Sequence, residues 1–317
     1  MYRNLSLDIL RIIMAFMVVA IHTRFLSDIS PVVSHLLIKT LFNIAVPVFL
    51  LINGFYFYPV LQKDQLRGWT KKIVYLYIFW MLVYSIYWFP FSDFSVITLL
   101  KAIKTILFGY AQLWYIPAMF GAALMIMFFK NLSSKVLLLL IIVLYCTGVI
   151  LQYSANYHVA PQPADKILNY YWFHRNFLFI GFAFFGIGFL IHKHNIHENI
   201  TTLNLFKLFL TGILILYIEV HMNYTLYINN GDLANQLFLL ILAPVLFLFV
   251  MRLNFKTQNR LLTSLAASIY FVHMLIIYIL QKTTDLPATA LTLTVFFLSA
   301  LLSVFIIQLN KKVKFIL

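Results

Sequence analysis

The first apolar stretch of the chain carries Asp8, Arg11 and His22, of which Arg11 and His22 stand out. At about 100° per residue, their separation brings them back to within about 20° of one helix face, about 16 Å apart along the axis. An ionisable residue inside a membrane helix is costly, so it is a functional candidate by default. A guanidinium binds anionic groups and an imidazole transfers protons. The alternative is that Arg11 reaches the headgroups and His22 only marks the outer end of the helix.

Other candidates lie within or at the ends of apolar stretches; these are Arg175, Glu219, His273, Trp114 and Tyr115. His273 lies near the middle of its stretch, too deep to reach the headgroups, so a functional role is predicted for it. The alternatives are headgroup anchoring for Arg175, structural pairing for Glu219, and an aromatic belt for Trp114 and Tyr115.

The elements that position these residues follow from composition. Of the 317 residues, 63% are hydrophobic and 10% are charged, so the chain is too apolar for a soluble domain. Repeated apolar stretches of about 20 residues indicate membrane helices. We predict an all-α, polytopic integral membrane protein, one domain over residues 1–317. It has about ten transmembrane helices, at 5–25, 36–60, 73–91, 112–129, 136–153, 177–192, 205–222, 236–251, 263–281 and 289–309.

The formal net charge of +14 is concentrated in alternate short loops, so it predicts membrane orientation and no nucleic-acid partner. The loops on the side of both termini hold about twice as many Lys and Arg residues as the opposite loops, which predicts cytoplasmic termini. The segment 97–110 is predicted to be an interfacial helix. The longest outer loop is about 154–174. A histidine-rich loop at 192–198 lacks a second ligand cluster, so no metal site is predicted.

Four motifs, in order, resemble acyltransferase family 3. The first is LDILR at 7–11, followed after ten residues by His22. The others are VPVFLLINGF at 46–55, LWYIP at 113–117 and SIYFVH at 268–273, which are similar to motifs of the second, fourth and late helices of that family. Asn53 stands where that family usually has a serine, and an asparagine can still donate and accept hydrogen bonds.

The resemblance implies an O-acyltransferase in a bacterial inner membrane. It implies acyl-CoA on the cytoplasmic side as co-substrate, with acetyl-CoA the expected form, and no bound cofactor. The implied acceptor is a hydroxyl of an extracytoplasmic carbohydrate, either a surface polysaccharide or its lipid-linked precursor. Membrane lipid is the remaining partner, and no oligomeric state is predicted. Donor and acceptor then approach from opposite faces, which requires a polar track through the helices.

In that picture Arg11 binds a phosphate or the polar arm of the donor, and His22 is the base. Direct transfer is simpler than a covalent enzyme intermediate, because the sequence shows no serine or cysteine with an adjacent partner. Arg175 would bind an acidic sugar or stabilise charge on the reacting carbonyl. His273 would line the donor path or support His22. The substrate-binding candidates are completed by Asn53, Trp114, Tyr115 and Glu219.

Two other classes of function remain open at this stage. A transporter or flippase for a glycan or small polar solute also needs buried charges and polar tracks, but no acyl donor. Few glycine or proline breaks occur in matching halves of the sequence, which argues modestly against it. A sensor or scaffold is least favoured, because no soluble domain is predicted to relay a signal.

Overall fold

A computed structural model describes residues 3–198, 200–227, 233–253 and 255–317. The fold is helical, apart from a short antiparallel pairing of β1 (Arg3–Asn4) with β2 (Lys256–Thr257). The α-helices are α1 (Leu5–Thr23), α2 (Pro31–Thr40), α3 (Ala45–Gln62), α4 (Leu66–Val83), α5 (Ser85–Trp88), α6 (Val96–Phe108), α7 (Tyr115–Phe128), α8 (Ser134–Asn156), α9 (Ala164–Leu168), α10 (Tyr171–His174), α11 (Phe182–Lys193), α12 (Thr202–Tyr227), α13 (Leu239–Leu253), α14 (Leu261–Thr283) and α15 (Ala288–Lys312). Short 3-10 turns at Phe42–Ile44, Ala111–Trp114 and Ile196–Glu198, and a π-helical turn at Phe177–Gly181, adjoin them.

Polar caps set where several of these helices begin. The Asn4 side chain accepts a hydrogen bond from the Leu7 amide at 3.2 Å and so starts α1. Ser30 starts α2, which has Pro31 in its first turn, and Ser133 starts α8. Because Asn4 sets the first turn of α1, it helps to fix the direction in which Arg11 points from that helix.

Within the described ranges, eight segments are long and apolar enough to cross a membrane; they are Leu5–Thr23, Pro31–Gln62, Ala111–Phe128, Ser134–Asn156, Tyr171–Lys193, Thr202–Leu226, Leu261–Thr283 and Ala288–Lys312. The predicted spans 73–91 and 236–251 fall on α4, whose first turns are basic, and on the shorter apolar helix α13. The structure therefore confirms an all-α polytopic membrane protein. The count of ten spans and the cytoplasmic termini remain predictions.

The larger core is centred on the packing of α11 against α3. Two glycines allow this close approach: a Cβ atom at Gly54 would lie 1.9 Å from the Phe185 carbonyl oxygen, and one at Gly188 would lie 2.1 Å from that of Leu51. Any larger residue at either position would push the helices apart.

A second core joins α14 to α1, α4 and α15. The Trp80 and Phe271 rings stack there, with centroids 5.0 Å apart and planes 8° apart. The buried Tyr84 hydroxyl donates to the Phe271 carbonyl at 2.7 Å. These contacts fix the rotation of α14, and with it the direction in which its polar side chains point.

The helix α6 matches the segment predicted to lie at the interface. Ala102 is the one buried residue of this helix, and large apolar side chains along it are exposed, including Ile97, Leu100 and Leu107. A helix with so little contact with the rest of the protein is suited to lie on lipid, as predicted.

Candidate functional site

The guanidinium of Arg11 is held by a buried acid in its own helix. Its Nη1 lies 2.5 Å from Oδ1 of Asp8, which is three residues earlier and therefore on the same face. The Thr263 hydroxyl, on α14, donates to the same Asp8 oxygen at 2.7 Å. The Asp8 side chain is 1% exposed and that of Arg11 12%, so the pair is almost removed from solvent. Arg11 is thus a fixed cation with a compensating charge.

Arg11 lines a cavity of about 330 Å³ between α1, α3, α4, α7 and α14. Two predicted residues meet at its wall, where the Asn53 side-chain amide donates to the Tyr115 hydroxyl at 2.6 Å. Lys72 lines the same cavity, and Arg260 lies close enough for its charge to act on Lys72. The cavity therefore combines a mostly apolar wall with cationic groups.

One face of α14 leads from this cavity to His273. Thr263, Ala266 and Tyr270 line the cavity, and His273 follows three residues after Tyr270. These positions repeat at helical spacing, and ten residues of helix advance about 15 Å. The stripe on α14 thus runs beside the Arg11–His22 stripe on α1, against which α14 packs.

At the far end of this stripe the two histidines meet. The ring centroids of His22 and His273 lie 5.3 Å apart, with the planes tilted by 41°. His273 is fully buried, and its Nδ1 lies 2.7 Å from the Tyr270 carbonyl oxygen and 3.2 Å from that of Ile269. A carbonyl only accepts, so Nδ1 carries the proton and a neutral His273 presents a lone pair at Nε2.

The buried Nε2 of His273 has no hydrogen-bond partner within the part of the chain that the structure describes. His22, in contrast, is exposed. The pair therefore joins an imidazole that a substrate can reach to a second one whose tautomer is fixed by its own helix.

Arg175 approaches the histidine pair from another element. It follows α10 and lies close enough to His22 for its charge to act on the ring. The next residue, Asn176, accepts hydrogen bonds from the Leu178 and Phe179 amides at 2.9 and 3.0 Å, which starts the following π-helical turn. That cap fixes the chain direction directly after Arg175.

The hydrogen bonds of Glu219 lead away from this pair. Its carboxylate accepts from the Tyr153 hydroxyl, from the Leu237 amide at 2.7 Å and from the Phe238 amide at 3.1 Å. Those amides precede α13, so Glu219 caps that helix and ties it to α8 and α12. The structural pairing that the sequence left open is present, and a substrate-binding role for Glu219 stays a prediction.

Trp114 is partly buried and packs against the larger core. His192 and His197 pack around the Phe55 ring, with centroids 4.3 and 5.3 Å from it. Among the residues that the structure describes, no group of three His, Cys, Asp or Glu side chains could hold a metal ion.

Sequence reasoning missed Asp8, Thr263, Lys72 and Tyr270 as parts of this region. Two signals were present: Asp8 precedes Arg11 by three residues, and Tyr270 lies inside the SIYFVH motif. Thr263 and Lys72 carried no signal, because only the packing of α4 and α14 brings them to the cavity.

Fold and site together define a polytopic helical membrane protein in which a basic cavity leads to a histidine pair. The family model of acyltransferase family 3, described as an acyltransferase domain, matches residues 4–309. The chain therefore belongs to that family, and the resemblance seen in its motifs is confirmed.

Two curated relatives are 26% identical to this chain. "Amino-acid racemase" of Enterococcus faecalis matches over 99% of this chain and 47% of its own length. "Serine/alanine racemase" of Enterococcus gallinarum matches over 78% of this chain and 36% of its own length. The chain thus spans less than half the length of either relative. No solved structure matches.

Proposed function

We propose that the protein transfers an acyl group, expected to be acetyl, from cytoplasmic acyl-CoA to a hydroxyl of an extracytoplasmic carbohydrate. The acceptor is a surface polysaccharide or its lipid-linked precursor, and the membrane is the bacterial inner membrane. The observation that carries the proposal is the face of α14 that leads from the Arg11 cavity to the His22–His273 pair. Membership of an acyltransferase family supplies the class of reaction.

The cavity suits an acyl-CoA arm. Its apolar wall accommodates the acyl and pantetheine segments, and the Arg11 and Lys72 cations attract phosphate. Asp8 neutralises part of the Arg11 charge and fixes the direction of the guanidinium, so Arg11 positions the donor through oriented N–H groups. Lys72, with Arg260 nearby, supplies the less compensated positive charge.

At the outer end, His22 acts as general base. It takes the proton of the sugar hydroxyl as the oxygen attacks the thioester carbonyl. The new ester C–O bond forms, the C–S bond breaks, and the His22 imidazolium returns the proton to the departing CoA thiolate. Arg175 stabilises the negative charge that develops on the carbonyl oxygen. No acyl-enzyme is needed in this scheme.

His273 supports His22 in this mechanism. The Nδ1–H of His273 donates to the Tyr270 carbonyl. Its Nε2 can therefore accept a hydrogen bond from the N–H of one ring nitrogen of His22. The other nitrogen of His22 is then left with the lone pair that a base needs. This is the second of the two roles that the sequence left open for His273.

The test compares wild type with His22→Ala at equal membrane levels, with acetyl-CoA labelled in the acetyl group. We expect label in the extracytoplasmic glycan fraction with wild type and none above background with the variant. His194→Ala is the matched control, because His194 is an exposed histidine in the loop after α11. Equal labelling by His22→Ala and wild type would contradict the proposed base.

Transport of a small polar solute is a second candidate. The buried Asp8–Arg11 pair among the helices would also suit a solute path, and both curated relatives are named for activity on amino acids, a class of small polar solute. Release of free CoA by the purified protein, dependent on added glycan, separates the two functions. A transporter would release none.

A further inference from the structure

The loop between α8 and α10 forms a second cavity, of about 420 Å³, outside the membrane helices. It is lined by His158, Gln162, Asp165, Lys166, Asn169 and Tyr170. Five of these side chains are exposed and the carboxylate of Asp165 is buried at their centre. None of the six residues has a role in the proposed reaction.

The polar wall of this cavity is held by its own hydrogen bonds. Asp165, 6% exposed, lies 2.9 Å from Nδ1 of His158 and accepts from the Gln162 amide at 3.1 Å. The Asn169 amide nitrogen donates to the Ala155 carbonyl at 3.2 Å, which ties the loop to the end of α8. Amide groups fixed in this way meet a ligand with little ordering cost.

The cavity also has an aromatic edge. The Tyr170 and Trp172 rings stack with centroids 5.8 Å apart and planes 21° apart. The Lys104 ammonium of α6 lies 5.3 Å from the Tyr170 centroid and 4.6 Å from that of Trp172. These contacts hold the Tyr170 ring at the cavity while it stays 42% exposed.

Planar amides, a paired carboxylate and an exposed aromatic ring together suit a sugar. Amides and carboxylates bond hydroxyls on both the donor and the acceptor side, and a ring presents an apolar face with a polar tip. A phosphate fits less well, because the Asp165 carboxylate at the centre would repel it.

We infer that this loop cavity binds a sugar unit of the acceptor glycan other than the unit that is acylated. Arg175 follows Tyr170 by five positions, a span of at most about 18 Å. Arg175 in turn acts on His22. The cavity is thus near the reacting centre without being part of it, so the preferred acceptor is an oligosaccharide or polymer. This inference rests on the proposed function.

The test measures labelled acetyl transfer as a function of acceptor concentration, with glycan isolated from the cells that express the protein as the probe. For Tyr170→Ala we expect KM for the glycan to rise roughly fivefold to tenfold, with kcat retained, because a remote contact contributes to binding alone. Gln162→Ala should act in the same direction. Tyr170→Phe keeps the ring and should restore a near wild-type KM.

Tyr171→Ala is the matched control, since Tyr171 is 58% exposed, adjacent in sequence and absent from the cavity lining. An unchanged KM in both Tyr170→Ala and Gln162→Ala, with active wild type, would overturn the loop cavity alone. A fall in kcat without a change in KM would also overturn it. Absence of transfer by wild type itself would overturn the proposed function and, with it, this inference.

Discussion

Two polar clusters lie among the helices of this protein, and they differ in how completely their hydrogen bonds are made. Around Glu219, a hydroxyl and two backbone amides satisfy the carboxylate. Around His22 and His273, one buried imidazole nitrogen has no partner in the described part of the chain. Both clusters consist of residues that the sequence singled out as functional candidates.

This difference distinguishes a polar cluster that stabilises the fold from one that is available for a reaction. Buried polar groups are normally paired, so a saturated carboxylate at the start of a helix is accounted for by the fold. The fold does not account for the Nε2 of His273, which is unpaired among the described residues and lies beside an accessible histidine. In the proposed mechanism, its partner is a proton on the neighbouring His22 ring. The same comparison predicts which substitutions reduce turnover and which reduce stability.

The largest effect is expected at His22. Replacement by alanine should lower kcat for acetyl transfer by about 10²–10⁴-fold, because general base catalysis contributes about that much. The thermal unfolding midpoint in detergent should stay close to that of wild type, since the exposed ring contributes little to packing. A large loss of stability with kcat per folded molecule unchanged would reverse the comparison.

Glu219→Ala should do the opposite. It leaves the part-buried Phe238 amide and Tyr153 hydroxyl and the exposed Leu237 amide without their acceptor. We expect a loss of about 1–3 kcal/mol in unfolding free energy in all, because water can satisfy the exposed amide. Denaturant unfolding gives the loss, and kcat measured on the folded fraction should change by less than His22→Ala changes it. Glu219→Gln, which keeps one carbonyl acceptor, should lie between.

His273→Ala should lower kcat by about tenfold, the effect of losing one oriented hydrogen bond worth about 1–1.5 kcal/mol. In the double variant with His22→Ala, it should add almost nothing, because His273 acts through His22. A double-mutant cycle with fully additive losses would separate His273 from the base.

Asn53→Ser should have a smaller effect. The shorter side chain loses the 2.6 Å bond to the Tyr115 hydroxyl but keeps a polar group at the cavity wall. We expect KM for acetyl-CoA to rise about fivefold, which corresponds to about 1 kcal/mol. Asn53→Leu, which removes the polar group, should raise it further; equal KM values in both variants and wild type would exclude a role at the donor cavity.

The smallest effect concerns Asp28 in the loop after α1, another acid whose hydrogen bonds are made. The Thr289 hydroxyl donates to its carboxylate at 2.6 Å and lowers the pKa of Asp28 below the ordinary value of 3.8. A lowered pKa stabilises the fold above pH 3.8, and this contribution is lost as pH falls through the folded-state pKa. Thr289→Val should weaken that acid dependence of the unfolding midpoint without abolishing it, because the Thr289 backbone amide still donates to Asp28 at 3.0 Å. An unchanged pH profile would contradict the hydroxyl contact.

Local sequence pattern was enough to predict part of the fold and part of the candidate site. Apolar length predicted the helices, and helical periodicity placed Arg11 and His22 on one face of α1. The pairing of Asp8 with Thr263 and the meeting of His22 with His273 join positions about 250 residues apart in sequence. Those contacts depend on how α14 packs, which no local pattern encodes. The hydrogen bonds that satisfy the Glu219 carboxylate likewise depend on the packing of α8 and of the turn before α13.

The most direct test of the central claim, that one helix face joins a cytoplasmic donor cavity to an outer histidine pair, uses sealed membrane vesicles. Labelled acetyl-CoA is supplied only to the cytoplasmic face, and label is measured on glycan at the opposite face. We expect transfer across the sealed membrane, which His22→Ala abolishes and Lys72→Ala weakens by raising KM for the donor. Label confined to acceptors on the donor's own face would contradict it.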